Sequence, residues 1–139
     1  MTTKNFDDGL YCAERVLLEI AQQHNIQSPL IPRIATGLCS GMARTGGPCG
    51  ALTGGILALG LIHGRDNKDA TVERIYAAVQ DLTEQFRSKH NSVHCQELLG
   101  CDLGTAEGQR TYVDNQLGQR CEAFTTSTIQ LVEKILKTA

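Results

Sequence analysis

The chain has 139 residues, a net charge of -2 and a sequence pI near 6.0, with both signs of charge spread along its length. This length fits a single domain over residues 1–139 with a substantial core. The chain lacks the basic stripe of a nucleic-acid-binding protein, so we expect no nucleic-acid partner.

The hydrophobic pattern predicts an all-α fold, a small bundle of about four to six helices. Apolar residues recur at helical spacing over residues 8–24, which indicates a first helix. Pro29 and Pro32 then break regular structure, and the glycine-punctuated segment LCSGMARTGG is expected to be an irregular loop. No segment shows the alternation typical of strands.

The remainder of the chain, from residue 48 onward, is also predicted to be helical. A helix is predicted over residues 48–63, because proline at position 48 suits the first turn of a helix. A long amphipathic helix should follow over residues 72–89. A short helix over VHCQELLG, a polar connection and a last helix over residues 119–137 complete the prediction.

Two further observations bear on where the protein works. The longest apolar run, ALTGGILALGLI, has 12 residues, whereas a membrane-spanning helix needs about 20. We therefore expect a core helix and no membrane partner. The segment MTTKNFDDGLYCAE shows neither the apolar region nor the cleavage site of a secretory signal, which favours a cytoplasmic location.

Cysteine is the unusual component of this composition. Six cysteines occur, at positions 12, 39, 49, 95, 101 and 121. Three structural disulfides would require an oxidising compartment, which the amino-terminal segment does not indicate. Inert buried thiols, metal or cluster ligands and redox chemistry remain as interpretations.

Four of the cysteines fall near predicted helix starts. These are Cys12, Cys49, Cys95 and Cys121. Free backbone N–H groups and the helix dipole favour negative charge there, so we expect these thiols to ionise easily or to be held as metal-bound thiolates. Residue 121 also continues the apolar stripe of the last helix, which predicts that it points inward.

Glycines surround one of these cysteines, in the segment GGPCGALTGG. A bulky anionic group that the backbone must approach closely needs small residues and free N–H groups, which Gly46, Gly47 and Gly50 would provide. Gly54, Gly55 and Gly60 follow inside the predicted helix, where each glycine costs about 1 kcal/mol relative to alanine. They indicate a close contact with another helix, and a homodimer through this helix is a further possibility.

These residues resemble a family of small bacterial and archaeal proteins that is named from four cysteines and a CGAxxG element and described as redox-active. The element corresponds to CGALTG at residues 49–54. Cys12 in LYCAERVL, Cys95 in HCQELLG and Cys121 in QRCEAF match the other three cysteines. The resemblance covers nearly the whole chain, and a similar module is found in split-Soret cytochromes. Cys39 and Cys101 lie outside the four-cysteine pattern.

The resemblance implies a bound prosthetic group, an iron–sulfur cluster first of all, with electron transfer to a redox protein partner. Four cysteines suit zinc and an iron–sulfur cluster equally as ligands, but the absence of short CxxC motifs favours the cluster. Two alternatives remain open: a metal-free thiol–disulfide protein, in which Cys39 would resolve a disulfide with Cys49, and a structural zinc module. No catalytic side-chain constellation can be singled out.

Overall fold

The computed structural model describes residues 8–138, and these residues form a helical bundle without a strand. The α-helices are α1 (Cys12–Gln23), α2 (Cys39–Arg44), α3 (Gly50–His63), α4 (Glu73–His90), α5 (Cys95–Leu99), α6 (Ala106–Asp114) and α7 (Gly118–Thr138), and a 3-10 helix covers Arg33–Leu38. The prediction of an all-α fold is confirmed. Among residues 8–138, no helix combines the length and the apolar character needed to cross a membrane.

The core lies where α1, α3, α4 and α7 pack together. Helices α1, α4 and α7 each bury one apolar stripe, as helical spacing predicted. The largest fully buried apolar side chains of these stripes are Val16, Leu17 and Ile20 of α1, Leu82 and Phe86 of α4, and Val132 of α7. Helix α3 is apolar nearly all round because it sits in the middle of the bundle, covered by the other three helices.

Two glycines of α3 allow this central helix to approach its neighbours closely. A β-carbon on Gly54 would lie 2.6 Å from the carbonyl oxygen of Ala13 in α1. A β-carbon on Gly55 would lie 2.8 Å from Cγ2 of Thr128 in α7. Their close contacts are thus made within the chain, whereas a β-carbon on Gly60 would meet no atom within 4 Å.

The segment expected to be an irregular loop contains an unusual turn instead. In α2, Ser40, Met42, Ala43 and Arg44 have φ angles of 60°, 61°, 59° and 70°, and Gly41 between them has a φ of 70°. Five consecutive residues therefore wind in the left-handed sense, which costs roughly 1–2 kcal/mol for each residue with a β-carbon. The sequence did not predict this turn, because only one of its five residues is glycine.

Helix α6 is the second departure from prediction, since its residues were expected to form a polar connection. Only a narrow face of this helix is buried, so the hydrophobic pattern gives little sign of it. Its start is fixed locally: the hydroxyl group of Thr105 accepts a hydrogen bond from the backbone N–H of Gly108 at 2.9 Å. With α2 and α6, the number of α-helices rises to seven in residues 8–138.

Candidate functional site

One cavity in the bundle is lined by four cysteines from four different elements. They are Cys12, Cys49, Cys95 and Cys121. The remaining lining residues are Gly41, Gly50, Leu98, Leu99 and Phe124. Apart from the sulfur atoms, the side chains around this four-cysteine cavity are therefore apolar. The structure brings together the four cysteines that sequence spacing separates widely.

Three of these cysteines lie at helix starts, as predicted. Cys12 and Cys95 are the first residues of α1 and α5, and Cys49 is the residue that precedes α3. Cys121 lies one turn inside α7, which begins at Gly118. The cavity therefore faces the positive ends of several helix dipoles.

Backbone hydrogen bonds tie Cys49 and Cys95 together. The N–H of Cys49 donates to the carbonyl oxygen of Val93 at 2.7 Å, and the N–H of Cys95 donates to that of Gly47 at 2.8 Å. These bonds form a short antiparallel pairing of Pro48 with His94. Two cysteines that are distant in sequence thus have their backbones fixed relative to each other.

Side-chain bonds position the other two cysteines. The carboxylate of Glu14 accepts hydrogen bonds from the backbone N–H of Tyr11 at 3.0 Å and from the hydroxyl group of Thr36 at 2.7 Å, which fixes the start of α1 at Cys12. Arg120, the neighbour of Cys121, donates to the carbonyl oxygens of Leu98 and Leu99 at 3.3 and 3.4 Å. This side chain connects α7 to the end of α5.

Two glycines make room for the sulfur atoms. A β-carbon on Gly50 would lie 2.5 Å from Sγ of Cys12, and one on Gly41 would lie 2.5 Å from Cβ and 3.1 Å from Sγ of Cys95. The expectation that Gly50 lines the site therefore agrees with its position. Gly41 was not singled out from the sequence, although it belongs to the glycine-punctuated segment before the CGALTG element.

Gly46 and Gly47, also expected at the site, are not among the described residues that line the four-cysteine cavity. The N–H of Gly47 donates to the carbonyl oxygen of Gly41 at 3.0 Å, so it is already engaged within the backbone. Gly46 has a φ of 77° and lies in a surface groove beside His94 and Gln96. These two glycines shape the turn that carries Cys49.

The thiols are harder to ionise than their positions at helix starts suggested. Burial raises the pKa of the Cys49 thiol to about 12, although the N–H groups of Ala51 and Leu52 act in the opposite direction. Burial also raises the pKa of Cys121 to about 11 and the pKa of Cys95. Desolvation thus outweighs the helix dipole, and without a metal these three thiols are neutral at pH 7. A bound metal would have to displace their protons.

Tyr112 is a polar neighbour of the site that the sequence did not reveal. Its hydroxyl group donates a hydrogen bond to Sγ of Cys121 at 3.7 Å. Burial, together with the nearby sulfur of Cys121, raises the pKa of Tyr112, so the phenol stays protonated and remains a donor. Tyr112 could have been predicted as a neighbour of the site only if α6, the helix on which it lies, had been predicted.

A second pocket lies outside the four-cysteine cavity and shares Cys12 and Cys121 with it. This outer pocket has a volume of about 120 Å³. Its other lining residues are Tyr11, Ser40, Arg44, Leu103, Gln109 and Tyr112. Ser40 and Arg44 come from the left-handed turn, so the strained backbone contributes directly to this pocket.

The two cysteines outside the family pattern differ in their surroundings. Cys39 is buried, and its thiol donates a hydrogen bond to the carbonyl oxygen of Ala35 at 3.7 Å. The nearby thiol of Cys12, and then burial, raise the pKa of Cys39 far above its usual range. Cys101 is half-buried in a small apolar cluster that also contains Cys95 and Cys121. All six cysteines are free thiols.

The donor set fits a group held by several thiolates. Four sulfurs in an otherwise apolar cavity are the soft ligands that iron–sulfur clusters and zinc prefer. Within residues 8–138, however, no three His, Cys, Asp or Glu side chains lie close enough together to hold a single metal ion.

Comparison with known proteins gives one match. Residues 10–135 match the model of a family described as "Putative redox-active protein (C_GCAxxG_C_C)". Neither the search of curated proteins nor the search of solved structures found a match. The family match covers all six cysteines and every helix except the last residues of α7.

Proposed function

The chain belongs to the C_GCAxxG_C_C family of redox-active proteins, and we propose that its four-cysteine cavity holds an iron–sulfur cluster. The ligands would be Cys12, Cys49, Cys95 and Cys121. When bound, such a cluster supplies one-electron transfer, to or from a redox protein partner. A cytoplasmic location remains part of the proposal.

The observation that carries the proposal is the common position of these four sulfurs. Each lies in or directly before a different helix, and among residues 8–138 no polar side chain of another residue type lines the cavity with them. Packing alone does not require four buried thiols to line the same cavity. Leu98, Leu99 and Phe124 exclude water around the sulfurs, which is one of the means by which a protein tunes a cluster's potential.

The spacing of the cysteines along the sequence favours a cluster over zinc. Structural zinc sites usually carry short CxxC motifs, which this sequence lacks. An iron–sulfur cluster places iron and sulfide between its cysteine ligands.

Residues around the ligands would stabilise the charge of the bound form. The backbone N–H groups of Ala51 and Leu52 act to lower the pKa of Cys49, and Tyr112 donates a hydrogen bond to the sulfur of Cys121. Hydrogen bonds to ligand sulfurs favour the more negative state and so raise the reduction potential. Gly41 and Gly50 keep β-carbons out of the space next to Cys95 and Cys12.

The first test is the composition of the wild-type protein after anaerobic purification. The proposal predicts visible absorption together with stoichiometric iron and acid-labile sulfide. Zinc without iron or sulfide would favour a structural zinc module instead. A sample that contains neither metal, even after anaerobic reconstitution with iron and sulfide, would contradict the proposal and leave thiol redox chemistry as the alternative.

A further inference from the structure

Cys39 lies beside Cys12 in the core but lines neither the four-cysteine cavity nor the outer pocket. The thiol of Cys12 is the largest cause of the raised pKa of Cys39, in keeping with two neighbouring thiols. A β-carbon on Gly50 would lie 2.5 Å from Sγ of Cys12 and 3.2 Å from Cα of Cys39, so the sulfur of one cysteine and the backbone of the other border the same small space. Two cysteines this near each other are candidates for a disulfide.

The start of α1 adds a second feature to this pair. The backbone N–H groups of Ala13 and Glu14 act to lower the pKa of Cys39. Both belong to the helix start that carries Cys12, so the thiol of Cys39 lies near that helix start.

The two cysteines differ in their access to small molecules. Cys12 lines the outer pocket, whereas Cys39 does not. The pocket volume of about 120 Å³ corresponds to about four water molecules, since a water in the liquid takes up about 30 Å³. A small oxidant such as hydrogen peroxide fits this space, and from it the oxidant meets Cys12 first.

We propose that Cys12 and Cys39 form a reversible disulfide when a small hydroperoxide enters the outer pocket. Neither the family pattern of four cysteines nor the proposed cluster uses Cys39. The proposal gives this cysteine the role of the resolving thiol.

The reaction has two balanced steps. The thiolate of Cys12 attacks one peroxide oxygen, the O–O bond breaks, and a sulfenic acid forms on Cys12 while hydroxide leaves and takes up the proton released from the thiol to become water. The thiol of Cys39 then attacks the sulfenic sulfur, an S–S bond forms, and a second water leaves with the remaining proton. Two thiols and one peroxide thus yield one disulfide and two waters, and a dithiol reductant restores the thiols.

The disulfide would also control the four-cysteine cavity. Cys12 cannot ligate iron while it is bound to Cys39, so oxidation removes one of the four proposed ligands. This consequence rests on the proposed function, whereas formation of the disulfide does not.

The test begins with reduced, metal-free wild-type protein treated anaerobically with hydrogen peroxide. We expect peptide mass spectrometry to find a Cys12–Cys39 linkage as the main oxidised product, reversed by dithiothreitol. A main product that links Cys12 to Cys49, Cys95 or Cys121, or no linkage of Cys39 at all, would overturn the proposal. A disulfide between Cys39 and Cys49, the alternative pairing, would be identified in the same peptide map.

Variants separate the roles of the two sulfurs. In Cys39→Ser, the sulfenic acid on Cys12 cannot be resolved, so dimedone should label Cys12, whereas wild-type protein should show little label there. In Cys12→Ser, Cys39 should remain a free thiol. Cys101→Ser is the matched control and should react as the wild type does. Dimedone on Cys39 in the wild type would reverse the assigned roles and contradict the proposal.

Iron uptake distinguishes this inference from the proposed function. Peroxide-treated wild-type protein should lose most of its capacity for cluster reconstitution and regain it after dithiothreitol, while treated Cys39→Ala should regain it less completely. If reduced protein takes up no cluster under any condition, the proposed function fails, and the disulfide is still decided by the peptide map.

Discussion

The hydroxyl group of Tyr112 donates a hydrogen bond to Sγ of Cys121 at 3.7 Å. Tyr112 lies on α6, a helix whose few apolar residues hid it from the sequence pattern, and Cys121 lies on α7. The bond thus connects a peripheral helix to the four-cysteine cavity. It gives α6 a role at the site.

Tyr112→Phe removes this hydrogen bond while keeping the ring. A hydrogen bond to a ligand sulfur stabilises the more negative, reduced state of a cluster, so its loss should lower the reduction potential. We expect a change equivalent to no more than about 1 kcal/mol, the usual net contribution of one hydrogen bond. A spectroscopic redox titration measures it.

Tyr76→Phe provides the control for this prediction, because Tyr76 is 56% exposed on α4 and lies outside both pockets. The reduction potential of Tyr76→Phe should equal that of the wild type. Equal potentials for all three proteins would show that the Tyr112 hydroxyl group does not influence the bound group.

Gly54 and Gly60 of the same helix should respond in opposite ways to alanine. A β-carbon on Gly54 would lie 2.7 Å from Cα of Ala13, a backbone atom that cannot move without shifting α1. Gly54→Ala should therefore destabilise the fold by about 2–3 kcal/mol, as overpacking does. Gly60→Ala meets no atom within 4 Å and should stabilise it by up to about 1 kcal/mol.

Chemical unfolding of reduced protein measures both changes. If Gly54→Ala were as stable as Gly60→Ala, the close approach of α1 and α3 would be wrong.

Much of the fold could be predicted from the sequence, because the main helices bury regular apolar stripes. Val16, Leu17 and Ile20 made α1 recognisable, and the bounds of α3, α4 and α7 fell within two residues of prediction. The left-handed turn at Ser40–Arg44 could not be predicted, because only its tertiary setting holds residues with β-carbons at positive φ.

The sequence predicted the four cysteines of the site, but it did not predict how easily their thiols ionise. Helix starts predicted easily ionised thiols, but the balance between dipole and desolvation depends on burial, which the sequence does not give for Cys49 or Cys121. The roles of Gly41 and Gly47 could not be predicted for a similar reason. Which glycine faces a sulfur and which one bonds to its neighbour depends on the turn between them.

Gly50→Ala should impair cluster loading. The added β-carbon would lie 2.5 Å from Sγ of Cys12 and 3.0 Å from the carbonyl oxygen of Leu38, so it would displace the thiol. We expect iron and sulfide content after reconstitution to fall several-fold while the protein stays helical. Circular dichroism checks the helix content.

Gly37→Ala is the matched control, since a β-carbon on Gly37 meets no atom within 4 Å. Its iron and sulfide content should match the wild type. Full loading of Gly50→Ala would mean that Cys12 does not need the space beside Gly50.

His90 should make stability depend on pH. Its ring packs against Phe86 and Phe124, with centroid distances of 4.6 and 4.9 Å, and its Nε2 atom lies 3.3 Å from Oγ of Ser127. Burial, and then the charge of Lys89, lower the pKa of His90 below its usual value of 6.5. The folded state therefore prefers the neutral ring, so its contribution to stability is complete above about pH 6.5 and is lost as the pH falls below it.

Thermal unfolding of metal-free protein between about pH 7.5 and pH 5.5 measures this contribution. The wild type should lose more stability than His90→Gln over this range. His24→Gln, at an exposed position at the end of α1, should follow the wild type. Identical pH profiles for the wild type and His90→Gln would contradict the assigned protonation state.

Six single Cys→Ser variants, all purified and reconstituted anaerobically, decide which cysteines ligate the proposed iron–sulfur cluster. Iron content, acid-labile sulfide and the visible spectrum are measured for each variant. We expect loss or strong alteration of the cluster when Cys12, Cys49, Cys95 or Cys121 is replaced, and wild-type spectra for Cys39→Ser and Cys101→Ser. A cluster that persists unchanged in any of the first four variants, or that depends on Cys101, would contradict this expectation.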